Sequence, residues 1–502
     1  MRGRSSTGGK PFTAPAAQIW GWGIGALSTH ALIQTFGQAG AIFTVGFGIS
    51  PLVIGWAMML PRLVDAIADP YLGHLSDNTH TRWGRRKPYL LLGAILGAVF
   101  LNAIWWADPS WNPNAILLYL GVFGTLFYLC YGLYTMAWTA VGYELTDDYE
   151  ERSRVAAVAA FFLAIVALCA SWVYRIALLP IFGHNKIVDG KLVGDEIVGI
   201  RWIAAGASVV IIGAACIAAA FCRERFTHAN RRHDPLLPAL RTSLTNRPFA
   251  ILLLVKICQL LGERLAGALL GFLGIYYVCH GDKTLATSIT GIGGTIGLVW
   301  NFVILPLLKP ITQRFGKRAA LIGGGVIGLL GALVQPFLLN PNYPYLLLVP
   351  ALVLAPLATI ANTLANAIVP DICDQDELET GQRREGLFTA VMGLQAKLEI
   401  SLCTLLSGYI VTWSGLNVKV AVQTPEVLNR LFWLAIVPNI VFSLAAFLLT
   451  LRFPMTAASM EEIRRRLDER HREKPDAAPD NEPEAALTPS LILENEYVSP
   501  SC

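Results

Sequence analysis

Long apolar runs separated by short polar stretches organise this chain. Runs at 19–46, 88–107, 155–179, 202–221, 319–339 and 431–451 each reach the roughly 20 mainly apolar residues that a helix needs to cross a bilayer. With the runs that a few polar residues interrupt, the pattern predicts about twelve spanning helices. The first run is too long for the apolar part of a cleaved leader. It follows a polar start containing Arg2, Arg4 and Lys10, so it is expected to remain as the first helix. Composition agrees: 15% of the 502 residues are charged, against roughly 25% in a soluble domain. The expectation is an all-α, multi-pass membrane protein.

Sorting lysines and arginines between alternate loops sets the orientation. About 28 of the 39 fall with the N-terminus, the tail and the loops at 76–87, 146–155, 223–247, 309–318 and 373–386, and about six on the other side. This positive-inside bias puts both termini in the cytoplasm, as expected for a bacterial inner-membrane protein, and requires an even number of spans. A basic, proline-containing stretch at 223–247 divides six spans from six. The chain then reads as a cytoplasmic N-terminus (1–17), a first six-helix bundle (18–222), a cytoplasmic linker (223–247), a second bundle (248–452) and a cytoplasmic tail (453–502). In the tail, Met460, Ile463 and Leu467 share one helix face, while Glu461/Arg465 and Glu462/Arg466 have i,i+4 spacing. A short amphipathic helix is expected there, followed by disorder from about 474.

The halves repeat. Arg82-Trp83-Gly84-Arg85-Arg86 follows the second span and Arg314-Phe315-Gly316-Lys317-Arg318 the eighth, an offset of 314 − 82 = 232 residues. A duplicated six-helix unit would leave such a pair behind, with glycine for the turn and cations for the anionic inner leaflet. Both loops should then lie on one membrane face.

Charges within spans mark candidate chemistry, because each costs roughly 2.5–3.5 kcal/mol on insertion scales. The second span carries Arg62, Asp65 and Asp69. The two aspartates are i and i+4, so their carboxylates leave one helix face about a turn apart. They can share a proton or hold one monovalent cation, and Arg62 is a candidate partner for Asp65; a purely structural ion-pair cluster is the alternative. The nine cysteines form no CxxC and read as small buried hydrophobes.

The string Asp65-Ala66-Ile67-Ala68-Asp69-Pro70, Gly73, Ser76-Asp77 and Thr81-Arg82-Trp83-Gly84-Arg85-Arg86-Lys87-Pro88 resembles the signature of the glycoside–pentoside–hexuronide:cation symporters of the major facilitator superfamily. A second stretch resembles them too: Asp371, Asp374, Glu377, Thr380-Gly381, Arg383-Arg384-Glu385-Gly386, then Gln395 and Lys397. The resemblance covers 18–452. It implies the major facilitator fold, twelve helices in two pseudo-symmetric bundles, with Asp65 and Asp69 as the cation site. Lys397 matches the family's eleventh-helix lysine, and with Arg62 would compensate the carboxylates. Melibiose-permease-like members add an asparagine between the aspartates and a fourth-helix threonine; here Ala68 and Gly132 stand there, which favours H⁺ over Na⁺. The acidic residues that bind galactosides in those members map onto His30 and Thr135, against a melibiose-like substrate.

Polar stripes recur along four spans: His30, Gln34 and Gln38 on the first; Tyr128, Tyr131, Thr135 and Trp138 on the fourth; Lys256, Gln259 and Glu263 on the seventh; Thr359, Asn362 and Asn366 on the tenth. Amides and hydroxyls suit sugar hydroxyls and aromatics stack on sugar rings, so these are candidate substrate residues, although each stripe alone also serves as interhelical glue. Asp77, Arg85, Arg86, Glu144, Arg383 and Arg384 are candidates for a cytoplasmic gate. No catalytic constellation, phosphate-binding loop or metal cluster is evident, and no metal beyond Na⁺ at Asp65 and Asp69 is expected. The reading is a cofactor-free, non-enzymatic symporter, coupling H⁺ or Na⁺ to a sugar or glycoside. It is expected to act as a monomer in the bilayer and to bind no nucleic acid. A lysophospholipid or other amphiphile is the alternative cargo.

Overall fold

The computed structural model describes residues 14–79, 81–146, 148–183, 185–188, 191–222, 243–420 and 422–473. The expected linker lies outside these residues up to 242, as does the tail from 474. The helices are α1 (Ala16–Gly37), α2 (Pro51–Asn78), α3 (Lys87–Ile104), α4 (Pro113–Glu144), α5 (Tyr149–Ala177), α6 (Glu196–Phe221) and α7 (Arg247–Leu273). A helical run, Lys283–Leu338, is broken at Gly316 (φ 78°, ψ 159°) into α8 and α9. Then come α10 (Ala355–Thr380), α11 (Glu385–Ser414), α12 (Pro425–Leu451) and α13 (Ala457–Glu473). A two-stranded hairpin, β1 (Lys186–Val188) with β2 (Lys191–Val193), joins α5 to α6, with Ile187 opposite Leu192.

Local chemistry sets the boundaries. Asn112, Asp195, Asn246 and Asp282 each accept a backbone N–H at the start of α4, α6, α7 and α8. Proline at the first turn of α2, α4, α7 and α12 costs no hydrogen bond there. Gly415, in the left-handed region at φ 83°, ends α11.

Among the described residues, nine segments are long and apolar enough to cross a membrane by length and composition. The long helices outside that set are α1, α7 and α10, which carry three of the four polar stripes.

The duplication has a backbone counterpart. Gly84 (φ 115°) and Gly316 (φ 78°) occupy the same place in the two copies of the basic motif, and both need the left-handed conformation that glycine adopts without strain. Wide helical turns follow α1 at Ile42–Gly46 and α7 at Gly274–Val278, again 274 − 42 = 232 residues apart. The halves meet along α2 against α11 and α5 against α8. Adding six to α2 and subtracting six from α11 turns the first contact into the second, as a pseudo-two-fold axis demands.

The halves are packed differently inside. One apolar cluster runs through the N-terminal half, from Ile19, Phe36 and Phe43 to Phe127, Tyr134 and Ile211. The C-terminal half has two clusters, one around Leu269, Tyr276 and Leu431 and one around Phe249, Ile372 and Phe388. Helix α13 packs on the second through Met460 and Ile463, and its Arg464 shares Asp371 of α10 with Lys317 of the second basic motif, at 2.9 and 2.5 Å. On its outer face Glu462 pairs with Arg465 and Arg466, so Arg465 turns to Glu462 where Glu461 was expected.

Candidate functional site

Helix α2 brings Asp65 and Asp69 to the seam with α11. There Lys397 points its ammonium between them, 2.7 Å from Asp65 Oδ2 and in direct contact with Asp69 Oδ2. The side chain of Asp65 is 2% exposed and that of Asp69 28%, so the pair is closed at one end and open at the other. The sequence expectation of a carboxylate pair facing an α11 lysine corresponds to this arrangement. Arg62 makes no hydrogen bond to Asp65 here: its Nη1 donates to Tyr128 OH at 2.9 Å and its guanidinium lies over the Tyr128 ring. Lys397, not Arg62, bonds to Asp65.

Gly132 of α4 faces the carboxylates. A Cβ there would lie 3.4 Å from Asp65 Oδ1 and 3.6 Å from Asp69 Oδ1. That Asp65 oxygen is buried and accepts no hydrogen bond. A hydroxyl-bearing side chain at position 132 would therefore reach the site, and glycine withholds it. Thr135, a turn further on, is engaged elsewhere, hydrogen-bonded to Thr29 of α1 at 2.8 Å.

The polar stripes divide between seam and space. Trp138 and Trp22 donate their indole N–H to each other's carbonyl at 2.9 and 2.8 Å and stack at 4.6 Å, so Trp138 welds α4 to α1. His30 Nδ1 bonds the Ala26 carbonyl of its own helix at 3.1 Å, and Gln38 donates to Ala170 of α5 at 3.4 Å. Gln34 and Tyr131 are half-buried. In the C-terminal half, Lys256 donates to Asn366 at 2.9 Å, Gln259 faces α9 and α12, and Glu263 is exposed. The side chains of Thr359 and Asn362 lie outside the described residues.

The candidate gate arginines each have a partner within their own half. Arg85 and Arg86 meet Glu144 at 3.0 and 2.6 Å. Arg384 forks onto Asp376 at 2.8 and 2.6 Å, and Arg383 reaches Asp374 and Glu377. The Asp77 side chain lies outside the described residues. On the opposite face, polar contacts cross between the halves. Lys283 donates to Glu196 (2.7 Å) and to the Val45 carbonyl (3.1 Å), Arg175 to Ser288 (3.0 Å), and Trp172 to Thr295 (3.0 Å). Backbones also approach closely at that end: a Cβ on Gly408 would meet the Pro51 carbonyl at 2.5 Å.

A further charged group lies inside the C-terminal half. Glu399 of α11 is bonded by Gln395 Nε2, and Arg264 Nε of α7 approaches it to 3.2 Å. Like Asp65, Glu399 and Arg264 are charges within apolar runs, a signal present in the sequence.

The family model described as MFS/sugar transport protein matches residues 23–457. The chain is 24% identical to the Glucuronide carrier protein homolog of Escherichia coli, over 86% of this chain and 92% of that one. It is 25% identical to the Isoprimeverose transporter of Lactiplantibacillus pentosus, over 81% and 82% respectively. Among solved structures, a mutant form of nucleoside transporter NupG superposes with a TM-score of 0.61 at 13% identity, covering 86% of this chain and 99% of that one.

Proposed function

The chain belongs to the MFS/sugar transport protein family, and from that premise we propose that it is a cation-coupled symporter of a sugar or glycoside, with Asp65 and Asp69 as the coupling site. One observation carries the reading: the Lys397 ammonium sits between the two carboxylates and ties α2 of one half to α11 of the other. A cation that displaces Lys397 changes a charged group to which both halves contribute midway along the seam, as Lys283 and Glu196 do at the opposite face. Ion binding and bundle movement are thereby linked.

The coupling ion is H⁺. Na⁺ needs a shell of several oxygens, while Ala68 and Gly132 offer none and Thr135 is committed to Thr29. One proton shared by two carboxylates needs no such shell. The cargo class follows from relatives whose names specify a glucuronide and isoprimeverose, both carbohydrate. The polar side chains of α1, α4, α7 and α10 supply its hydrogen bonds. With the basic loops cytoplasmic, the cross-half contacts of Lys283, Arg175 and Trp172 close the outer face, and the site opens inward.

The test is uptake in vesicles carrying either an imposed pH gradient or an imposed Na⁺ gradient, with a panel of glycosides. Accumulation driven by pH, and abolished by Asp65→Asn or Asp69→Asn, supports the reading. Full accumulation in both variants removes the coupling site, and accumulation driven by Na⁺ alone removes the proton.

A further inference from the structure

The C-terminal half buries a second set of ionisable groups that the Asp65–Asp69–Lys397 site does not use. Glu399 is 5% exposed and Gln395 8% exposed, one turn apart on α11. Gln395 Nε2 donates to Glu399 Oε2. Two acceptors remain unfilled: Glu399 Oε1 and Gln395 Oε1 are both buried without a hydrogen-bond partner. Arg264 Nε lies 3.2 Å from that Glu399 oxygen, close enough to attract it, but its N–H is not aimed at it. A buried carboxylate beside an unsatisfied amide oxygen is costly as it stands, and one added proton satisfies both.

We propose that Glu399 is a proton-binding site in its own right, separate from the site on α2, with Gln395 as its hydrogen-bond partner in both charge states and Arg264 as the cation held by its ionised form. Ionised, Glu399 accepts the Gln395 amide N–H and draws in Arg264. Protonated, it has one O–H to donate; a half-turn of the Gln395 amide presents Oε1 to receive it, and the attraction on Arg264 is lost. The proton exchanges on the side where Arg264 is 46% exposed. Only an O–H bond is made or broken.

The charged surroundings are consistent with a two-state group. From α7, Glu399 faces Lys256, Glu263 and Arg264. Lys256 is itself engaged by Asn366 of α10. Lys397, two residues before Glu399, points to the opposite side of α11 and into the α2 site, as the roughly 100° per residue of a helix requires. One helix therefore presents a lysine to the partner half and a protonatable carboxylate to its own. The site itself does not depend on the symport reading.

The test needs no substrate. Infrared difference spectra of the full-length protein in lipid nanodiscs, titrated from about pH 5 to about pH 10, are expected to show a protonated-carboxyl band. That band should persist in the Asp65→Asn/Asp69→Asn double variant and disappear in Glu399→Gln. Glu399→Asp, which keeps an ionisable group, should retain a band at a shifted frequency, which guards against loss through misfolding. Arg264→Gln removes the cation that favours the ionised form, so the midpoint should move to higher pH by about one unit or more. A band unchanged in Glu399→Gln, or one lost only in the α2 double variant, overturns the assignment and leaves the coupling site on α2 standing. An unmoved midpoint in Arg264→Gln overturns the role given to Arg264.

Discussion

The two halves share a duplicated backbone but bury different things. The N-terminal half fills its interior with one apolar cluster, crossed by neutral contacts (Ser28 to the Ile211 carbonyl, Asn102 to Ser208, Tyr134 to the Gly25 carbonyl) and by single charges on tyrosines, Arg62 on Tyr128 and Glu196 on Tyr174. Its intramembrane carboxylates lie on α2, at the edge that meets the other half. In the C-terminal half two apolar clusters are separated along α7 and α11 by Lys256, Arg264, Gln395 and Glu399. A continuous core resists local deformation, because close-packed side chains leave no slack. A polar layer between two cores is a plane along which contacts can be exchanged. The difference casts the N-terminal half as the firmer body and the C-terminal half as the one that yields.

The largest effect expected is at the seam. Lys397→Gln leaves two carboxylates facing each other without the cation between them, a loss of about 3–5 kcal/mol for breaking a buried pair. Adding Asp65→Asn should recover much of it, read as the thermal unfolding midpoint in detergent. A double variant no better than the single one would show that the lysine acts through packing alone.

Core truncations test the contrast directly. Phe127 and Phe249 are both fully buried, the first in the single cluster and the second in one of the pair. Either change to alanine should cost about 3–5 kcal/mol locally. Hydrogen exchange should then rise across α1, α4 and α6 for Phe127→Ala. For Phe249→Ala it should stay confined to the basic-face ends of α7, α10 and α11. Equal spread in both would erase the distinction between the halves.

A smaller, more specific effect concerns the ion. Gly132→Thr with Ala68→Asn adds oxygen ligands where the carboxylates have none. Na⁺ should then raise the unfolding midpoint of the variant and leave that of the parent unchanged, despite some strain where a Cβ at 132 would meet Leu72 at 3.2 Å. Smallest of all is the tail: Glu462→Ala removes exposed pairs with Arg465 and Arg466 and should leave the unfolding midpoint unmoved.

What was legible in the sequence was whatever a helix periodicity or an intramembrane charge announces. Asp65, Asp69 and Lys397 each violate an apolar run, and the i,i+4 spacing fixes a shared face without knowledge of neighbours. The repeated motif gave the turn at Gly316 even though helix continues on either side of it. Partner choice was not legible. Arg62 chooses Tyr128, and Trp138 turns to Trp22, because the rotation of α4 against α1 and α2 depends on contacts that a single helix pattern does not contain. Glu399 obeyed the same rule as Asp65, but its significance comes from two unsatisfied oxygens, and those exist only once α11 is set against α7.

Lys397 also has an electrical consequence. With both carboxylates ionised, the charges of Asp65, Asp69, Lys397 and Arg62 cancel, so the empty site crosses the membrane field as a neutral object. A proton bound there adds one positive charge to the loaded form if the cargo is uncharged. Membrane voltage, worth about 2.3 kcal/mol per elementary charge per 100 mV, then acts on the loaded journey and leaves the empty return untouched. On the proposed reading, the lysine would make the carrier a rectifier: the field would pull the full carrier inward and do nothing to hold back the empty one.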